Sequence, residues 1–285
     1  MKSAEHMDLN RYQAPEVKLA TGDGVLVFMI HGQGVDHRLL LPLDPVFDRG
    51  RGFERIYLDL PGMGTTPPLS GAGGLPEYAQ WLENSIRRIA EGRRFALLGN
   101  SMGGVLAQEM ADRFPGQILG LALIAPVVFP NSKERNLPAR QIASSDAGLW
   151  NRLSAEDAVA YREMSVVQNF ENWISFKDFA LPGIRSANLR ALAKLSKRYY
   201  LEPPPVQRAG VADIPALILC GQLDHICGFQ DQLQLLRRYP KADYRVLVKA
   251  GHNLHLDAPE ATHQALAAWA AGVVEYAQDV ADSGI

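Results

Sequence analysis

Cysteine is nearly missing: Cys220 and Cys227 are the only two in 285 residues. Two is too few for a disulfide scaffold, and their spacing matches no metal-binding motif, so both read as reduced thiols. An excess of one charge is missing too. The formal net charge of −2 argues against a nucleic-acid binder, which would need a clustered positive surface. No apolar run approaches the ~20 residues that span a bilayer. The opening M-K-S-A-E-H-M-D-L-N lacks the apolar core of a secretory signal, which predicts a cytoplasmic protein. Repeats, heptads and low-complexity tracts are absent, and the one proline cluster, P-P-P at 203–205, reads as a linker.

What is present is an ordinary globular composition, with 47% hydrophobic and 21% charged residues. That is enough for one large core, or a core plus an insertion. Short apolar runs alternate with helix-like segments, the signature of a parallel sheet wrapped by helices. The strand candidates are V-L-V-F-M-I (25–30), R-I-Y-L-D (55–59), F-A-L-L-G (95–99), L-G-L-A-L-I-A (119–125), A-L-I-L-C (216–220) and Y-R-V-L-V (244–248). Each is short and apolar on both sides, as a strand covered on two faces must be. Before Val25 there is room for one further strand.

Leu75 to Glu91 carries a helical stripe of Tyr78, Trp81, Leu82, Ile86 and Ile89. A second helix runs from Met102 to Phe114 and stops at Pro115. The last opens at D-A-P-E, with Asp257 as expected N-cap and Glu260 three residues on. Between Phe129 and Pro205 the alternation fails. No strand is visible there, yet the segment holds Trp150, Tyr161, Trp173, Phe176 and Tyr199 among other aromatics. It is too long for a loop. The expectation is a helical insertion over one end of the sheet, dividing the chain into a core of 1–128 and 206–285 and an insertion of 129–205. Most of its aromatics would form its own core, with Trp150 and Trp173 as candidates to line a pocket beneath it.

Residues 97–104 read L-L-G-N-S-M-G-G. Gly99, Ser101 and Gly103 fit G-x-S-x-G, with a strand before and a helix after, the context of a serine held on a sharp strand-to-helix turn. A hydroxyl needs a base to take its proton, a third group to orient that base, and N–H donors for an oxyanion. Among seven histidines, His252 follows the last strand, at the edge of a parallel sheet where ligands bind. Asp224, in G-Q-L-D after the strand 216–220, belongs to the same edge. His255 is the nearest competitor and reads as a supporting or surface residue; His225 would point away from Asp224, and His263 lies inside the last helix. H-N-L-H-L-D (252–257) lacks the further ligands a metal site needs, so no metal is expected.

Asp59 reads as a turn residue bonding local backbone. The oxyanion donors would be the backbone N–H of Met102 and, from the loop H-G-Q-G (31–34), that of Gln33, with Gly34 as the alternative. The same loop fails as a dinucleotide fingerprint because His37 stands where the third glycine should be. Asp36 and His37 could reach a pocket mouth, although a helix N-cap with a solvated charge pair is the plainer reading of V-D-H-R.

H-G-Q-G, D-L-P-G-M-G, G-N-S-M-G-G, G-Q-L-D and A-G-H-N-L-H, in that order, resemble the signature of the α/β-hydrolase superfamily. The resemblance runs from about Val25 to the final helix, with 129–205 corresponding to the family's cap. It implies a mostly parallel α/β sheet with a helical cap, Ser101 as nucleophile, His252 as base, Asp224 as orienting acid, and no cofactor. Ser101 sets the chain apart from relatives with aspartate at the elbow, the haloalkane dehalogenases and epoxide hydrolases. Carbon–carbon hydrolases share G-N-S-M-G-G but typically place Trp where Asn253 stands. The expected activity is hydrolysis of a small ester, amide or thioester with an apolar portion, by a monomer or homodimer. Carbon–carbon hydrolysis or a lyase reaction on the same scaffold is the alternative.

Overall fold

Six apolar runs and one preceding strand pair into a single seven-stranded sheet in the computed structural model, which describes residues 16–48, 52–208 and 213–283. The N-terminal stretch behind the cytoplasmic expectation, His6 included, lies outside the described residues. The strands are β1 (Val17–Thr21), β2 (Val25–Ile30), β3 (Phe53–Leu58), β4 (Phe95–Asn100) and β5 (Ile118–Ile124), then β6 (Ser144–Ser145) and β7 (Val167–Gln168) outside the sheet, then β8 (Ala216–Gly221) and β9 (Asp243–Leu247). The sheet order is β1-β3-β2-β4-β5-β8-β9. Only β1 is antiparallel, placed at the edge against β3; all other neighbours run parallel.

Both faces of the sheet are apolar, and alternate residues serve opposite layers. Phe28 and Ile30 of β2, with Leu97 of β4 and Leu121 and Leu123 of β5, pack with the helices Leu75–Ala90 and Met102–Arg113. Val27 and Met29, with Ala96, Leu98, Ala122 and Ile124, pack on the other face against Trp269 and Val273 of the last helix. Parallel pairing brings the strand ends into line: Ile30 stands opposite Gly99, Gly99 opposite Leu123, and Gly221 opposite Leu247. Loops that leave these ends therefore meet at one rim.

The last helix begins later than its sequence suggests. It spans Pro259–Asp282 with Ala258 at the N-cap, after a short turn of helix at Leu254–Asp257. Asp257 does not cap it. Its carboxylate is turned back to accept from the Gly251 N–H at 2.9 Å and the Asn172 amide at 3.0 Å. Pro259 needs no N–H partner at the first position, so the helix starts without a side-chain cap.

Residues 129–205 hold helices at Ala155–Met164, Phe170–Ser175, Leu181–Ser186 and Leu189–Lys197. A two-residue parallel pairing of β6 with β7 corrects the expectation of no strand there. The Tyr161 ring lies 5.3 Å from Trp173 and 5.1 Å from Phe176, and Val35 and Leu39 join the same cluster. P-P-P is not a free tether: Pro205 is buried, and its carbonyl accepts from the Arg238 guanidinium at 2.7 Å.

Candidate active site

Ser101 follows β4 directly, at the N-terminus of the helix Met102–Arg113. Its backbone sits at φ 54°, ψ −115°, in territory that residues with a Cβ rarely enter. Three backbone hydrogen bonds hold it there. Its N–H donates to Ile124 at 3.0 Å, and its carbonyl accepts from Gly104 at 3.0 Å and Val127 at 3.1 Å. The neighbouring glycines are required by space. A Cβ on Gly99 would overlap the Gly103 carbonyl oxygen, and one on Gly103 would overlap the Ile30 carbonyl oxygen.

The loop after β2 lies across this turn, with the Cβ position of Gly32 only 3.1 Å from Ser101 Cβ. His31 fixes the loop from below: Nδ1 donates to the Gly32 carbonyl at 2.7 Å, and Nε2 accepts from the Leu60 N–H at 2.9 Å. Burial lowers its pKa, so the neutral tautomer this pattern needs is the stable one. Gly34, at φ 74°, gives its N–H to the Met63 thioether at 3.3 Å. Gln33 has no such engagement: among the described residues its backbone N–H is without a partner. Met102 is the first residue of its helix, where N–H groups have no intrahelical acceptor.

Asp224 and His252 leave the ends of β8 and β9 and meet at the same rim. His252 Nδ1 donates to Asp224 Oδ2 at 2.9 Å. The other carboxylate oxygen accepts from the N–H groups of Ile226 and Cys227, each at 2.9 Å. Burial alone would raise the Asp224 pKa, but the imidazole and the two N–H donors outweigh it and hold the carboxyl below its usual range. For His252 burial opposes protonation, yet the adjacent carboxylate prevails and its pKa stands well above the ordinary histidine value. With Nδ1 committed, Nε2 is the nitrogen left for chemistry. Ser101 and His252 line one cavity of about 470 Å³. No hydrogen bond joins the Ser101 and His252 side chains; nucleophile–base contacts are often long before substrate binds.

Of the other sequence candidates, Gly34 lines this cavity and Asp36, His37, Trp150 and Trp173 do not. Each is held elsewhere. The Asp36 carboxylate is fully buried; it caps the turn His37–Leu43 through the Arg38 N–H at 3.1 Å and pairs with the Arg38 guanidinium. It is an N-cap as read, but its charge is not solvated. His37 donates from its backbone N–H to Asp59 at 3.0 Å and pairs with the same oxygen through Nδ1 at 2.8 Å. Asp59 therefore reaches beyond its own turn, where it accepts from Thr65 at 3.1 Å. Trp150 packs under the Arg162 guanidinium and Trp173 against Phe176, inside the aromatic cluster of 129–205.

His255 is buried. It donates to the Leu39 carbonyl at 2.9 Å, and burial pushes its pKa down to about 4. His225 points to the Glu163 carbonyl, away from Asp224.

Three residues to which the sequence analysis gave no role in the site stand at it. Arg135 and Tyr199 line the cavity. Cys227 is fully buried, with ligating atoms of Asp224, Cys227 and His252 all within 4.8 Å of one another. A signal for Cys227 was present in D-H-I-C, since an aspartate often takes the N–H three residues on and folds that residue back over itself. Asp36, His37 and Asp59 form a second such group. In both, the carboxylates are already engaged by N–H donors.

With this geometry established, comparison with known proteins gives a consistent picture. The profile of the Alpha/beta hydrolase family matches residues 27–265. A dihydrolipoyllysine-residue acetyltransferase component of the acetoin cleaving system from Cupriavidus necator is 28% identical over 161 residues, 51% of this chain and 42% of that protein. The matched stretch is thus less than half of that relative's length. A pimeloyl-[acyl-carrier protein] methyl ester esterase from Legionella pneumophila (strain Paris) is 23% identical over 240 residues, 81% of this chain and 89% of the relative. The crystal structure of an alpha/beta superfamily hydrolase from Oenococcus oeni superposes with a TM-score of 0.82 at 28% identity, covering 90% of this chain and 95% of the other. The chain belongs to the alpha/beta hydrolase family.

Proposed function

We propose that the protein is a cofactor-independent serine hydrolase that cleaves a small carboxylic ester, amide or thioester through an acyl-enzyme. Ser101 Oγ attacks the acyl carbonyl as His252 Nε2 takes its proton, and Asp224 holds the imidazole in the tautomer that leaves Nε2 free. The backbone N–H groups of Met102 and Gln33 receive the oxyanion, with the partial positive charge of the helix N-terminus behind them. Collapse of the tetrahedral intermediate expels the leaving group, which takes the proton from His252. Water, deprotonated by the same nitrogen, then releases the acid and restores the Ser101 hydroxyl.

The observation that carries this reading is a serine in left-handed backbone sharing a cavity with an imidazole whose other nitrogen is held by a buried carboxylate. Gln33 is preferred over Gly34 as donor because the Gly34 N–H is spent on Met63. The segment 129–205 acts as the cap: it supplies Met164 and Leu192, which with Val127 and Ile226 suit an apolar acyl or alcohol portion. The size of the cavity fits a small molecule. The esterase named among the relatives favours the carboxylic ester over the other acyl bonds. A cytoplasmic site of action is part of the reading; among the described residues no helix is long and apolar enough to cross a membrane.

A fluorophosphonate probe tests the proposal. Ser101 is the expected labelled residue, with labelling and ester turnover both lost in Ser101→Ala. Labelling elsewhere, or turnover that survives the substitution, contradicts it. If esters and thioesters are ignored while vinylogous diketones are cleaved, the carbon–carbon hydrolase alternative replaces it.

A further inference from the structure

The cavity holds one permanently charged side chain, Arg135. Its guanidinium donates from Nε to the Phe129 carbonyl at 2.7 Å, from Nη1 to Ile226 at 2.9 Å, and from Nη2 to Pro130 at 3.0 Å. Three of its five N–H groups are thus spent on neutral backbone oxygens, and one on each terminal nitrogen is left over. Among the described residues no carboxylate pairs with it. By contrast Arg38 pairs with Asp36, Arg238 with Asp112, and Arg162 lies over the Trp150 ring. Arg135 is held in place without being neutralised.

Its position relative to Ser101's partners is fixed by one residue. Ile226 gives its N–H to Asp224 and its carbonyl to Arg135. Tyr199 also lines the cavity, close enough for the charge of Arg135 to act on its phenol, and its hydroxyl has no hydrogen-bond partner among the described residues. Burial raises its pKa above the ordinary phenol range despite the opposing charge of Arg135, so it remains a protonated donor. Pinning the loop explains three of Arg135's N–H groups. It does not explain the two that remain, nor an unpartnered phenol in the same cavity.

We infer that Arg135 and Tyr199 form an anion subsite, and that the substrate carries a free carboxylate which they hold while its scissile carbonyl lies at Ser101. A half-ester of a short dicarboxylic acid has this chemistry: one acyl carbon for attack and one charged end for the guanidinium, with an apolar chain between. The inference rests on the serine-hydrolase reading above, but its subsite can be tested separately.

Two measurements decide it. First, kcat/KM for monomethyl glutarate and monomethyl succinate is divided by that for the dimethyl esters, in wild type, Arg135→Met, Arg135→Lys and Tyr199→Phe. Wild type should favour the half-esters, and Arg135→Met should lower the ratio about tenfold to a hundredfold, the range expected for hydrogen bonds to a charged group. Arg135→Lys should recover part of that loss. Tyr199→Phe, which removes no hydrogen bond within the protein, should lower the ratio severalfold even if Arg135→Met loosens its loop. Second, glutarate is titrated calorimetrically into Ser101→Ala with and without each substitution; its affinity should fall in the same order.

Half-esters and diesters treated alike by wild type, or a ratio and glutarate affinity unmoved by both Arg135→Met and Tyr199→Phe, overturn the subsite. Glutarate binding that depends on Arg135 in a protein that cleaves no ester and takes no fluorophosphonate label would keep the subsite and overturn the reaction.

Discussion

His252 and Asp224 meet at 2.9 Å, and His37 and Asp59 meet at 2.8 Å, at the same rim of the sheet. In each pair the carboxylate is buried, the histidine donates through Nδ1 or shares it, and backbone N–H groups complete the carboxylate's shell. The difference lies in what surrounds the imidazole. His252 lines the cavity with Ser101, whereas His37 does not. His37 instead closes a bond between the loop after β2 and the turn after β3. A histidine–aspartate contact is therefore not a functional signature by itself; the neighbour of the second ring nitrogen decides.

The contrast can be broken by substitution. The largest effect expected is for His252→Ala, which should lower kcat/KM on the order of 10⁴-fold or more with the fold intact. His37→Ala should cost no more than about tenfold, through a looser oxyanion loop. Steady-state kinetics on an ester that wild type cleaves would show it, and the opposite ranking would exchange the roles of the two pairs. Next is Asp224→Asn, expected to reduce kcat by about 10³- to 10⁴-fold because an amide favours the wrong tautomer. Asp59→Asn should be read mainly in a denaturant titration, as a loss of about 1–3 kcal/mol from unmatched buried donors.

The pairs should also differ in their response to acid. The proposed mechanism uses neutral His252, whose pKa is raised, so kcat/KM should fall tenfold per pH unit once pH drops below that raised value. The acid limb therefore lies above the ordinary histidine range of about 6.5; a flat profile from pH 8 to pH 5 would remove His252 from the chemistry. At Asp59, burial pushes the pKa up, but the His37 ring and N–H bring it down to about 2. A depressed carboxyl pKa stabilises the fold above the unfolded value and loses that contribution as pH falls through the folded one. The window is from roughly 4 down to about 2 and the size ~2 kcal/mol. Thermal unfolding of wild type and Asp59→Asn across that window should converge at the acid end.

Much of this arrangement was legible because covalent attachment did the placing. Five of the six runs are buried on both faces as read, whereas β9 lies at the sheet edge and is only half covered; parallel pairing aligns the ends of all six. A residue one to five positions past a strand can then reach the rim, as Ser101, Gln33, Asp224 and His252 do. The illegible parts depend on side-chain direction. Trp150 and Trp173 have the composition of pocket residues, yet the segment that carries them packs them against Tyr161 and Phe176, with Trp173 buried and Trp150 half-buried. D-A-P-E looks the same whether Asp257 caps the helix ahead or turns back to Gly251. Arg135 gave no signal because its partners are backbone carbonyls, which have no letter in a sequence.

The φ of 54° at Ser101 has a consequence for how the molecule can change. Glycine would sit there at ease and free the backbone of a penalty of about 1–3 kcal/mol. Under the proposed mechanism the most heat-resistant variant at this one position is thus an inert one, and a screen that rewarded survival on heating alone would discard the hydroxyl first.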